Sequence, residues 1–207
     1  MATPSTRLDA LILDLFGVIL TFDDGLVYDR IAQRCENPIS AAKHMTNLVS
    51  EPNLICGRIS LHQIHAHLGK TLGLEASFDE FEEMWLASYS EAMPGMRDLL
   101  SQLNGRCKLV LLSNVDSFYW PVIQSSVPEL QDFHAKVVSF NEGVAKPDVL
   151  AFRRAIAASQ APIERCYFVD DKPENIEAAA ELGLAGHAFT SCLALKSALR
   201  KAGLHVA

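Results

Sequence analysis

The chain has no C-x-x-C pair, and its five cysteines (Cys35, Cys56, Cys107, Cys166 and Cys192) stand far apart in sequence. That excludes a cysteine zinc site and a disulfide framework, and suits reduced thiols in a cytosolic protein. Basic charge is scarce. With 18 Lys and Arg against 25 Asp and Glu the net charge is −7, and the cations are scattered. No nucleic acid and no membrane surface is therefore an expected partner. No apolar run reaches the roughly 18–20 residues that a membrane span needs. A secretory leader is not expected, because Asp14 interrupts the first apolar segment. Internal repeats and low-complexity tracts are missing too. The expectation is a cytoplasmic protein, monomer or homodimer.

What is present is ample apolar material, 49% of 207 residues, enough for one large domain or a core with a small insert. Its texture changes along the chain. Arg7 to Leu20 holds a first strand, carried by Leu11-Ile12-Leu13. From Phe22 to Met93 the pattern is helical, over Gly25–Cys35, Ser40–Val49 and Ser60–Gly69, with Ser40 and Ser60 as caps. Ser77-Phe78-Asp79-Glu80 reads as a capping box before Phe81 and Trp85. After Pro94 helices and strands alternate. Strands are expected at Lys108–Leu112, Val137–Phe140, Cys166–Val169 and His187–Phe189, and helices at Met96–Leu103, Pro147–Ser159, Glu174–Leu182 and Cys192–Ala202. Alternation of this kind implies a parallel sheet. The expected fold is α/β: a Rossmann-like parallel-sheet core from residues 1–20 and 94–207, with a small all-helical cap, 21–93, inserted after the first strand.

Polar groups end three of the strands (Asp14; Ser113-Asn114; Asp170-Asp171) and, as Lys146-Pro147-Asp148, follow the possible strand at Val137–Phe140. In a parallel sheet the carboxyl ends share one edge, where ligands bind. A single polar strand end is ordinarily a helix cap. Four that bring a carboxylate, a hydroxyl, an ammonium and a carboxylate pair point to one site. Carboxylates packed together repel unless a cation lies among them. Oxygen ligands in small number suit Mg²⁺ completed by water and substrate phosphate. Positioning and charge neutralisation are what phosphoryl transfer needs, and a carboxylate nucleophile passes through an aspartyl phosphate.

The chain resembles the haloacid dehalogenase superfamily over nearly its full length. The resemblance rests on Asp14-Leu15-Phe16-Gly17-Val18, Leu112-Ser113-Asn114, Lys146-Pro147-Asp148 and Val169-Asp170-Asp171-Lys172-Pro173-Glu174-Asn175, in that order. It implies a Rossmann-like core and a helical cap. It further implies that Asp14 is nucleophile and Mg²⁺ ligand, that Phe16 offers its backbone carbonyl to the metal, and that Asp171 is the direct carboxylate ligand with Asp170 beside it. Ser113 and Asn114 would bind the phosphoryl group, and Lys146 would orient Asp14. Within the superfamily the look-alikes are phosphatases of the glucose-1-phosphate type and the phosphatase domain of soluble epoxide hydrolase, through Gly57-Arg58-Ile59-Ser60 and the stretch from Ser113 to Trp120. The substrate so implied is a small phosphorylated metabolite such as a sugar phosphate.

One acid is missing. Most phosphatases of the family carry a second Asp two residues after the nucleophile, where this chain has Phe16. General acid–base help is worth roughly 10²–10⁴ in rate. Three readings follow: a phosphatase that works without that acid, a metal-independent L-2-haloacid dehalogenase, or a catalytically weak phosphate-binding protein. The retained Asp170-Asp171 pair favours the first, because the resemblance gives such dehalogenases small polar residues there. A dehalogenase also needs a cap Arg; Arg30, Arg34 and Arg58 are available but read first as surface residues. His62, His65 and His67 read as structural rather than metal-binding. Phe118, Tyr119 and Trp120 read as packing, and Asp23 and Asp24 as a solvated turn.

Overall fold

The computed structural model describes residues 8–21, 23–48, 51–87 and 91–207. The expected element limits at Arg7, Phe22 and Val49 lie outside these residues, as does the side chain of Asp24. The first strand, β1 (Ala10–Leu13), is followed by five helices: α1 (Asp24–Ala32), α2 (Pro38–Leu48), α3 (Pro52–Ile55), α4 (Leu61–Leu72) and α5 (Phe78–Leu86). Alternation then begins with α6 (Met96–Leu103), β2 (Lys108–Ser113), α7 (Trp120–Ser126) and β3 (Ala135–Val138). It continues with α8 (Ser139–Glu142), α9 (Val149–Ser159), β4 (Cys166–Asp170), α10 (Pro173–Glu181), β5 (Ala185–Ala188) and α11 (Cys192–Lys201). The five strands form one parallel sheet in the order β3-β2-β1-β4-β5.

β1 is central, and its four residues are all buried. Its alternate side chains enter two different cores, as the two-residue period of a strand requires. Leu11 and Leu13 join Leu109, Leu111 and Val169 in a cluster with Leu99, Ile123 and Leu195 of α6, α7 and α11. Ala10 and Ile12 join Val110, Leu112 and Phe168 in a second cluster with Phe152 of α9 and Ala179 of α10. The sheet is thus covered on both faces, the usual state of parallel sheets. The helices between β1 and α6 have a third core of their own, centred on Ile31, Met45, Leu61, Ile64, Phe81 and Trp85.

Local signals explain most helix starts. Ser60 and Ser77 both make reciprocal capping boxes, with Gln63 and Glu80. At α2 the cap is Asn37 rather than Ser40: Asn37 Oδ1 accepts the Ser40 N–H, and Pro38 opens the helix. The strand expected at Val137–Phe140 is shifted. It runs Ala135–Val138, and Ser139 turns the chain into α8. Ser139 Oγ donates to the Ile55 carbonyl and accepts the Val115 N–H, so its conformation is set by residues far off in sequence. The last strand likewise sits at Ala185–Ala188 rather than His187–Phe189. Among the described residues no helix is long and apolar enough to cross a membrane.

Candidate active site

Register brings the carboxylates together. Leu13, the last residue of β1, pairs with Leu111 of β2 on one side and Val169 of β4 on the other. The next residues, Asp14 and Asp170, therefore meet at the same edge, with the Asp14 N–H donating to the Val169 carbonyl at 2.9 Å. Lys146 reaches them from the loop between α8 and α9. Its Nζ lies 2.7 Å from Asp14 Oδ1 and 2.6 Å from Asp170 Oδ2, and all three side chains are buried. Asp14 Oδ1 also accepts the Leu15 N–H at 2.7 Å.

Asp170 and Asp171 differ in kind. Asp170 Oδ1 accepts from the Lys172 N–H and from Asn175 Nδ2, both at 2.9 Å, and its Oδ2 is taken by Lys146. Its oxygens are thus used within the protein. Asp171 is exposed and lies against the backbone of Gly17. A Cβ on Gly17 would run into the Asp171 carboxylate, and Gly17 has φ +78°. Glycine is required there on both counts. Gly17→Ala should therefore displace Asp171 and raise the Mg²⁺ concentration for half-maximal activity about tenfold or more, to be read from a metal titration of turnover.

Asn114, expected on the phosphoryl group, spends its side-chain amide elsewhere. Nδ2 donates to the Lys146 carbonyl at 2.9 Å and Oδ1 accepts the Lys146 N–H at 2.8 Å. The amide fixes the Lys146 loop. Ser113 closes β2 with its hydroxyl buried and without a hydrogen-bond partner among the described residues. An orphaned hydroxyl costs about 1–3 kcal/mol, and an oxygen-rich ligand at this edge would satisfy it.

The electrostatics are unbalanced. One oxygen each of Asp14, Asp170 and Asp171 lies within 4.8 Å of the others, and Lys146 is the ammonium paired with two of these carboxylates. Burial pushes Asp14 up to about 7; Lys146 pulls it down, and Asp170 adds to the rise. Burial, then Asp170, also raises Asp171. Burial works to lower the Lys146 ammonium, but the Asp14 and Asp170 carboxylates outweigh it and raise it. Three carboxylates around one ammonium call for about two more positive charges. A hard divalent cation with oxygen ligands supplies them, so the residues present fit Mg²⁺.

Above this floor lies a cavity of about 850 Å³, roofed by α1, α3 and α5. Phe16 lines it, its ring centroid 6.3 Å from that of Tyr119. Tyr119 thus lines the cavity, and it belongs with Trp120 to the core beneath. Arg58 is exposed, as expected, but also lines the cavity, where it donates to the Gly143 carbonyl at 3.1 Å. Arg34 instead pairs with Glu80 at 3.2 Å, and Arg30 and Asp23 are exposed. His62 stacks on Phe78, His65 meets Phe78 edge-on, and His67 stacks on His44. Sequence reading missed Asp116. It lines the cavity, accepts the Phe118 and Tyr119 N–H groups at 2.8 Å each, and bonds Trp85 of α5; burial raises its pKa. An Asp whose side chain can accept backbone N–H groups two and three residues on is a turn signal that the sequence carries.

The family model for haloacid dehalogenase-like hydrolases matches residues 8–183. The chain belongs to this family. It is a hydrolase with the family's parallel five-stranded α/β core. Among curated relatives it is 30% identical over 146 residues to a D-ribitol-5-phosphate phosphatase of Bacteroides thetaiotaomicron, covering 68% of this chain and 70% of that one. It is 27% identical over 148 residues to a sesquiterpene phosphatase of Aspergillus oryzae, covering 70% and 74%. A haloacid dehalogenase family enzyme from Bacteroides thetaiotaomicron, solved with magnesium and inorganic phosphate, superimposes with a TM-score of 0.74 at 19% identity, over 89% of this chain and 96% of that one.

Proposed function

We propose that the chain is a Mg²⁺-dependent phosphatase of a small phosphorylated metabolite, acting through an aspartyl phosphate on Asp14. The observation that carries this reading is the cluster of Asp14, Asp170 and Asp171, the first two of them paired with the buried Lys146. Asp14, Asp171 and the Phe16 carbonyl are the residues that would hold Mg²⁺, with Asp170 behind them. Bound there, Mg²⁺ would supply charge neutralisation for the phosphate oxygens. Lys146 and the Leu15 N–H hold Asp14 Oδ1, which leaves Oδ2 as the attacking oxygen. Ser113 Oγ and the Asn114 backbone complete the phosphate seat. Residues 21–93 act as the cap that closes over it.

The steps balance without a side-chain acid at position 16. Asp14 bonds to phosphorus, the P–O bond to the alcohol breaks, and the departing alkoxide takes a proton from water. The hydroxide so formed then attacks phosphorus, returning the Asp14 carboxylate and inorganic phosphate.

The dehalogenase reading fares worse, because a metal-free site would leave the carboxylate excess uncompensated. A phosphate-release screen over phosphometabolites, with Mg²⁺ or with EDTA, should show release only with Mg²⁺. Chloride release from 2-chloropropionate in EDTA would sink the proposal.

A further inference from the structure

The cavity over Asp14 has two unlike ends. Asp14, Lys146 and Asp171 line its floor. The facing wall is built from Val27 and Tyr28 of α1, Ile55 of α3 and Trp85 of α5, joined by Phe16 and Val115 at the sheet edge. Val27, Tyr28, Trp85 and Val115 are themselves buried, packed into the cores on either side of the cavity.

Of the polar side chains that line the cavity, Asn114 and Asp116 are engaged within the protein and Arg58 partly so. Two arms of the Arg58 guanidinium turn to the Gly143 carbonyl and Asn53 Oδ1. Asp116 Oδ1 takes two backbone N–H groups, and its carboxylate bonds the Trp85 side chain. Asn114 is spent on Lys146. A polyol brought against Phe16, Val27, Ile55 and Val115 would bury hydroxyls on side chains that offer them no partner, and buried polar groups need partners. A hydrocarbon surface would instead gain from leaving water.

We propose that the substrate is a phosphate monoester whose alcohol part is apolar, an aromatic or other hydrocarbon-rich alcohol, rather than a polyol phosphate. This rests on the phosphatase reading of the same site and departs from the sugar phosphate expected from the sequence. The phosphate sits on the charged floor and the hydrocarbon lies against Val27, Ile55 and Trp85, so the wall selects the substrate while the floor performs the chemistry.

Benzyl phosphate and ribitol 5-phosphate test this, because both release a primary alcohol and differ mainly in the body of the alcohol. With Mg²⁺, kcat/KM for benzyl phosphate should exceed that for ribitol 5-phosphate by about tenfold or more. Ile55→Thr keeps the branched shape, places a hydroxyl on the wall, and should narrow that ratio at least about threefold. Equal rates, a preference for ribitol 5-phosphate, or a ratio that Ile55→Thr leaves unchanged would overturn the proposal while the phosphatase reading stands. Absence of phosphate release from both esters, and from acetyl phosphate as a reactive control, would overturn the phosphatase reading and this proposal with it.

Discussion

Asp14→Asn should abolish Mg²⁺-dependent phosphate release, lowering kcat by about 10⁵ or more, the order seen when an enzyme loses its nucleophile. The reason is specific to the position. Asp14 is the carboxylate that Lys146 and the Leu15 N–H hold at the end of the central strand. An amide still accepts those two hydrogen bonds, so the fold should survive. Because the site holds an excess of buried negative charge, removing one charge should leave the melting temperature of the metal-free protein unchanged or raise it. A variant that loses activity by unfolding would show a lowered melting temperature and would not support the assignment.

The second large effect is a gain. Phe16→Asp should raise kcat/KM by about 10²–10⁴ on esters of poorly leaving alcohols, because it restores a proton donor where the leaving oxygen departs. The backbone at this position is unchanged, so the carbonyl assigned to the metal remains. The ring lost is half-buried and packs on Tyr119, and its removal should cost some stability but not the fold. Phenyl phosphate should gain less than benzyl phosphate, since a phenol of pKa about 10 departs without help more readily than an alkyl alcohol. Equal gains on both esters would mean that the new carboxyl acts by some route other than protonating the leaving group.

Much of the site was legible because parallel strands announce their carboxyl ends. Asp14, Ser113 and Asp170 each follow a short β-rich run, and the register of β1 between β2 and β4 then forces them to one edge. Lys146 was legible as a cation after the third expected strand, but its contacts were not. Its place depends on the Asn114 amide, and that pairing spans 32 residues, which no local pattern reports. For the same reason no local pattern showed that the Asn114 side chain serves Lys146, so that only its backbone is left for the phosphate seat proposed above. Gly17 was visible as part of the first motif, but its role is set by the approach of Asp171 from β4. The limits of β3 were misplaced because Ser139 answers to Ile55 and Val115 rather than to its neighbours. Arg58 and Asp116 became site residues only when the helices closed over the sheet edge, a tertiary event without a sequence period.

The central claim is that Asp14 carries the phosphoryl group. It is tested most directly by acid-quenching the protein during turnover with Mg²⁺ and mapping phosphorylation by peptide mass spectrometry. The account predicts a phosphoryl group on the peptide containing Asp14, at its carboxylate, and none in EDTA or in Asp14→Asn. Phosphoryl on another residue, or turnover with no phosphorylated protein during a demonstrable burst of alcohol release, would contradict it.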